Sequence, residues 1–134
     1  MQVFLGIDTA TSYLSLALWS PTEGDLASLQ TRVERDHAKR ILLEIEALLA
    51  SVQVHKNVLS GIGVGIGPGS YTGLRVGIAT AKGLARGLQI PLSGASTLAA
   101  IAYGHLAVGE AAFITLDARR DNVYAARYHR QASN

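Results

Sequence analysis

The apolar residues of the chain follow two periods, and the succession of these periods predicts the order of strands and helices. Leu14, Leu16 and Leu18 alternate along the chain, as on one face of a strand, whereas Ile41 and Ile45 belong to a series at helical spacing. The predicted order is three strands, then helix, strand, helix, strand and helix, and then two strands. The predicted strands cover residues 4–7, 13–19, 26–33, 60–66, 90–93, 111–117 and 123–128; the predicted helices cover 38–52, capped by Asp36, and 72–88 and 96–107.

This order indicates a specific α/β architecture. A meander of three antiparallel strands followed by alternating helices and strands is typical of the mixed-sheet lobe of actin, hexokinase and the chaperone ATPases, a ribonuclease H-like fold. We predict such a lobe, with a mixed five-stranded sheet, over residues 1–109, and a second lobe that is truncated after a β-hairpin over residues 110–134. In this fold the turn after the first strand contacts nucleotide phosphates, so Asp8 and Thr9 are candidate phosphate contacts. The alternative is a turn in which both side chains bond the local backbone.

Glycine is concentrated in one strand–turn–helix unit. Nine of the 14 glycines lie in residues 60–88, and each glycine inside a helix costs roughly 0.5–1 kcal/mol relative to alanine. Gly73, Gly77, Ala81 and Ala85 recur every four residues and form a ridge of small side chains, over which another backbone can pass closely. The ridge predicts tight packing, either within the chain or against another chain.

Two further features suggest a surface for another chain. Leu43 and Ala47 lie outside the main apolar stripe of the first helix, so that helix is either buried on two sides or presents a partner surface. Arg75, near the start of the glycine-rich helix, contacts either a phosphate or a carboxylate across an interface. We predict an interface that contains Leu43, Ala47, Gly73, Leu74, Arg75, Gly77 and Ala81.

Composition and charge narrow the function only slightly. Hydrophobic residues make up 49% and charged residues 16% of the 134 positions, which suits a single α/β domain, and without cysteine there is no thiolate or disulfide chemistry. No apolar run approaches the roughly 18 residues of a membrane span, and no signal peptide is evident, so we expect a cytoplasmic location. The net charge is +2, and the arginines of residues 119–130 are interrupted by Asp121, so solvated faces are favoured over direct binding of nucleic acid.

The common catalytic and cofactor motifs fail on their spacing. The phosphate-loop pattern is absent, and the dinucleotide pattern that starts at Gly67 would need glycine where Thr72 stands. A helical pair of metal-binding histidines that starts at His37 would need histidine where Ile41 stands. No serine occupies the centre of a G-x-S-x-G elbow. The residues therefore predict no catalytic group, no metal and no bound cofactor.

One motif resembles that of a known family. Residues 67–77, GPGSYTGLRVG, resemble the signature of the bacterial TsaB (YeaZ) family, and the similarity extends to residues 7–10, to His37-Ala38, and to residues 117–124. It covers essentially the whole chain, although members of the family normally continue through a complete second lobe.

The resemblance implies a non-catalytic subunit of the machinery that makes threonylcarbamoyladenosine in tRNA. Such a subunit pairs with TsaD, a catalytic paralogue that holds the metal, through the first-lobe helices that begin here at His37 and Thr72. A TsaE-like ATPase joins them, tRNA is reached only through the complex, and the isolated subunit forms homodimers through the same helices. An older glycoprotease-like label has no support in these residues. The alternative is a small ATP-binding hydrolase of the actin-like group that uses Asp8.

Overall fold

A mixed five-stranded sheet forms the centre of the structure, a computed structural model that describes residues 1–33 and 37–133. Strands β1 (Val3–Asp8), β2 (Tyr13–Ser20) and β3 (Gly24–Arg32) form the antiparallel meander, and β4 (Leu59–Gly65) and β5 (Leu92–Ala95) add parallel to β1, in the order β3-β2-β1-β4-β5. The predicted antiparallel meander and the mixed five-stranded sheet are therefore confirmed.

Three α-helices connect or follow these strands. Helices α1 (His37–Ser51), α2 (Tyr71–Leu88) and α3 (Thr97–His105) differ from their predicted bounds by a residue or two, and the sequence pattern missed a short 3-10 helix at Lys56–Val58. Ser70 and Ser96 cap α2 and α3, because each hydroxyl accepts a hydrogen bond from a backbone N–H of the first turn. The predicted Asp36 cap of α1 lies outside the described residues. Within the described ranges, no helix is long and apolar enough to cross a membrane.

The hydrophobic core lies between one face of the sheet and the helix pair α1–α2. Strand alternation places Val3, Leu5 and Ile7 on that face, and all three are buried. The helices supply the remaining core residues at helical spacing, among them Ile41 and Ala81, which are both 0% exposed. The alternating apolar side chains of the strands and the helically spaced apolar side chains of α1 and α2 thus face each other across the core.

A separate β-hairpin follows α3. Strands β6 (Ala111–Arg119) and β7 (Asn122–His129) form a two-stranded sheet. Arg130 attaches the hairpin to α3, since its Nη1 donates to the carbonyl oxygens of Tyr103 at 2.9 Å and Leu106 at 2.7 Å. These carbonyls lie at the end of α3, where they lack intrahelical partners. The hairpin is confirmed, whereas the assignment of residues 110–134 to a second lobe stays a prediction.

Candidate functional site

The turn after β1 is held by a partly buried polar network. Asp8 Oδ1 accepts from the N–H of Ala10 at 2.8 Å, and Oδ2 accepts from the hydroxyl of Thr97 at 2.8 Å. Thr97 is 3% exposed, and its Oγ1 also accepts from the N–H of Gly67 at 3.2 Å. A side chain at Gly65 would overlap the Asp8 carboxylate, which explains why β4 ends in glycine. Asp8 therefore joins the ends of β1 and β4 to the start of α3.

The Thr9 side chain takes part in the same internal packing. Its side chain is 1% exposed, and its hydroxyl donates to the carbonyl oxygen of Gly73 at 2.6 Å. The hydroxyl is therefore buried and already bonded inside the chain, which favours the local-turn alternative, and the role of Thr9 as a phosphate contact stays a prediction. Both oxygens of Asp8 also have internal donors, which favours the local-turn alternative, and its role as a phosphate contact stays a prediction.

The small ridge of α2 packs against this turn. A Cβ atom added at Gly73 would overlap the carbonyl oxygen of Thr9, and one added at Gly77 would overlap the Thr9 hydroxyl. Gly73, Gly77 and Ala81 are buried within the chain. The prediction that these three residues face a partner is therefore wrong, because the closely approaching backbone belongs to this chain. By contrast, a Cβ at Gly83 or Gly87 would meet nothing within 4 Å.

The other predicted interface residues lie on accessible surface. Leu43 is 65% exposed, Ala47 and Arg75 are exposed, and Leu74 is half-buried. Leu42, next to Leu43 on α1, is 47% exposed as well. The helix pair thus keeps apolar side chains on its outer side, although contact with a partner stays a prediction.

A shallow groove also runs along the surface of α2. It has a volume of about 400 Å³, with Leu74, Ile78 and Ile66 among its apolar lining. Tyr71, Arg75 and Lys82 also line it, and the Arg75 guanidinium lies 5.4 Å from the centre of the Tyr71 ring. The sequence pattern does not predict Tyr71, Ile78 and Lys82 as site residues, although the spacing 71, 75, 78, 82 is that of one helix face. Ile66 precedes the turn and joins the groove only through the fold.

A larger cleft of about 600 Å³ separates the β1–β2 turn and the start of α2 from the hairpin tip. Hydroxyl groups of Thr11, Ser12, Ser70 and Thr72 line one side, and Arg119 belongs to the other. Among residues 1–33 and 37–133, no three acidic or histidine side chains come together as a metal site. Ile41, where a paired histidine would stand, belongs to the core. The cleft thus offers hydroxyls and a cation to a polar ligand.

Comparison with known proteins extends this description. The structure superposes on YeaZ from Pseudomonas aeruginosa with a TM-score of 0.84 and 34% identity, covering 98% of this chain and 62% of that chain. TsaB of Escherichia coli is 38% identical over 128 residues, which are 94% of this chain and 54% of that protein. TsaB of Bacillus subtilis is 36% identical over 127 residues, 95% of this chain and 55% of that protein. The chain thus spans about half the length of these curated relatives.

The sheet order and the YeaZ superposition define the chain as an α/β lobe of the actin, hexokinase and chaperone ATPase type. The family model described as "TsaD: tRNA N6-adenosine threonylcarbamoyltransferase" matches residues 30–134. The chain belongs to this family, and within it to the TsaB (YeaZ) proteins. The names of its TsaB relatives give them a role in tRNA threonylcarbamoyladenosine biosynthesis.

Proposed function

We propose that this chain is a non-catalytic cytoplasmic subunit of the tRNA threonylcarbamoyladenosine machinery, and that it binds and activates a TsaD-like catalytic paralogue. A TsaE-like ATPase completes the complex, and the chain meets tRNA only within it. In the absence of the paralogue, the chain self-associates through the same surface. Membership of the TsaB family supports the pathway, and the outer side of the α1–α2 pair supports the role as a binding subunit.

The exposed apolar side chains of α1 are the observation that carries this proposal. Leu42 and Leu43 are 47% and 65% exposed, although the same helix already buries a complete stripe in the core. The α2 groove adds Leu74 and Ile78 on the accessible side. Exposed apolar patches on a domain surface mark interaction sites, and two neighbouring helices suit docking of further helices.

The side chains of Asp8 and Ile41 support a non-catalytic role. Both carboxylate oxygens of Asp8 accept hydrogen bonds from groups of this chain, so this residue has a structural task. Ile41 fills the core at 0% exposure, one helical turn after His37, where a metal-binding pair would need its second imidazole. These residues maintain the lobe, and in the proposed complex the chemistry belongs to the paralogue.

The test reconstitutes threonylcarbamoyl transfer to tRNA with purified TsaD-family and TsaE-family proteins of the same organism. We expect transfer to require this chain and to fall to the level without the chain when Leu43→Asp is used. Val108→Asp is the matched control, since Val108 is 61% exposed in the connection after α3. Transfer at the same rate with and without the chain would contradict the proposal.

The cleft favours a second candidate function, that of an ATP-binding hydrolase of the actin-like group. Its hydroxyl groups and Arg119 match the donors that bind phosphate oxygens. Calorimetry of the isolated chain with ATP and magnesium separates the two functions. Binding in the sub-millimolar range without a partner protein would favour the hydrolase, and we expect no such binding.

A further inference from the structure

The sheet has an open face on β2 and β3, on the side opposite α1 and α2. Strand alternation buries Leu14, Leu16 and Leu18 of β2 in the core and turns the residues between and beside them outward. Two large aromatic side chains stand at the two ends of this outward row, Tyr13 at 42% and Trp19 at 45% exposure. Aromatic side chains exposed on a sheet surface indicate an interaction site.

The open face carries opposite charges at its two ends. Trp19 pairs across the strands with Asp25, and Tyr13 pairs with Arg32, so each aromatic residue has a charged neighbour on the same side of the sheet. Asp25 and Arg32 are both exposed, and they stand about 20 Å apart along β3. One end of the open face is therefore aromatic and acidic, and the other end is aromatic and basic.

The centre of the open face is low, and one of its anchors is ordered in advance. Ser15 and Ala17 lie between the two aromatic residues of β2, and their small side chains allow a second flat surface to approach. The Trp19 ring lies 6.0 Å from the ring of Phe4, which restricts its motion. An anchor that is already ordered loses less conformational entropy on binding, and tryptophan is enriched among the residues that dominate interfaces.

We propose that the open face binds the open face of a second copy of this chain, with the strands of the two copies antiparallel. A two-fold axis through the centre of the face then places Trp19 of each copy over Tyr13 of the other. The same axis places Asp25 of each copy over Arg32 of the other, so both charges of both copies are paired. This contact is separate from the proposed function, because it leaves the outer side of α1 and α2 accessible to another protein.

Other occupants would satisfy fewer groups of the open face. RNA or an acidic protein surface would pair with Arg32 and would be repelled by Asp25, and a basic surface would do the reverse. The outward surface of β1, β2 and β3 measures about 26 Å by 14 Å, or roughly 360 Å² per copy, compared with about 800 Å² per partner in a standard interface. We therefore expect a weak dimer that forms as the concentration rises.

Sedimentation equilibrium over a wide range of concentrations measures this dimer. The experiment uses the Leu43→Asp variant as the parent, which removes the self-association expected through α1. Adding Asp25→Arg should weaken the dimer about tenfold or more, because like charges then face each other at both ends of the interface. Adding Arg32→Asp as well reverses both charges and should restore the affinity to within about threefold of the parent.

The control and a second readout use residues elsewhere on the chain and on the open face itself. Arg120→Asp makes the same charge change as Arg32→Asp at the exposed hairpin tip, and we expect it to change the affinity by less than about twofold. Trp19 is the single tryptophan of the chain, so its fluorescence emission should move to shorter wavelength as the dimer forms. Circular dichroism verifies that each variant is folded.

The outcomes separate this inference from the proposed function. Loss of the dimer with Asp25→Arg and its recovery in the double variant support the inference. A parent that stays monomeric at every concentration overturns it, and so does a dimer that Asp25→Arg leaves unchanged or that the double variant does not restore. If Asp25→Arg and Trp19→Ala instead weaken binding of the TsaD-family protein, the open face belongs to that protein and the inference is overturned.

Discussion

Replacement of Gly77 by alanine tests the packing between α2 and the turn after β1. The added Cβ atom would overlap the Thr9 hydroxyl and would lie 3.1 Å from Thr9 Cγ2. Thr9 has little room to withdraw, because it is 1% exposed and its hydroxyl bonds the carbonyl oxygen of Gly73. Helix propensity alone predicts that alanine stabilises the helix. Steric overlap and helix propensity therefore predict opposite changes in the free energy of unfolding.

The magnitudes favour destabilisation by the Gly77→Ala variant. An extra methyl group in a packed site costs roughly 1–3 kcal/mol, and a buried hydroxyl that loses its partner costs about 1–3 kcal/mol. Alanine recovers about 1 kcal/mol of helix propensity. The expected net loss in the free energy of unfolding is therefore about 3 kcal/mol, less than the roughly 5–15 kcal/mol stability of an ordinary domain.

Urea denaturation, followed by far-ultraviolet circular dichroism and by fluorescence of Trp19, measures this loss. The matched control is Gly83→Ala on the same helix, where nothing lies within 4 Å of an added Cβ atom. We expect that control to gain about 0.5–1 kcal/mol. In a Thr9→Ala background, Gly77→Ala should cost less by about 1–3 kcal/mol, because the Oγ1 and Cγ2 atoms that oppose the added Cβ are gone. If Gly77→Ala were as stable as Gly83→Ala, the close contact with Thr9 would be refuted.

Two further predictions concern other parts of the chain. Gln89 follows α2 with φ 56°, a left-handed conformation that favours glycine. Gln89→Gly should therefore raise the free energy of unfolding by about 0.5–1 kcal/mol, as measured by thermal melting. A lower melting temperature of the variant would contradict this explanation. Arg130→Met removes both hydrogen bonds from the guanidinium to the end of α3. Amide hydrogen exchange in β6 and β7 should therefore accelerate about tenfold, while exchange in β1 stays unchanged. Unchanged exchange in the hairpin would show that Arg130 does not hold the hairpin against α3.

The architecture could be predicted from the sequence because the period of the apolar residues reflects which side of each strand or helix is buried. The alternation of Leu14, Leu16 and Leu18 and the helical stripe through Ile41 exist because one side of each element is buried. The apolar pattern predicts β5 at residues 90–93, two residues early, because the position of this strand depends on the parallel pairing of Ile62 with Leu92, a contact between distant residues. The apolar pattern within a short segment does not indicate which distant strand it pairs with.

The site residues were harder to predict from the sequence than the fold, and the ridge of α2 shows the reason. A row at Gly73, Gly77 and Ala81 reveals that a backbone passes closely, but the same row serves a contact within the chain or between chains. The structure assigns the contact to Thr9, 64 residues before Gly73 in sequence. The small side chains of the ridge show that another part of a chain passes closely, but they do not show whether it belongs to this chain or to a partner.

Calorimetric titration of the purified chain with the purified TsaD-family protein of the same organism tests the proposed function most directly. We expect saturable binding with one chain per paralogue, abolished by Leu43→Asp and retained by Val108→Asp. An isotherm without binding heat for the wild-type chain, confirmed by the absence of a complex in sedimentation, would contradict the proposal that this chain binds the catalytic paralogue. Equal binding by Leu43→Asp would contradict the assignment of that contact to the outer side of α1.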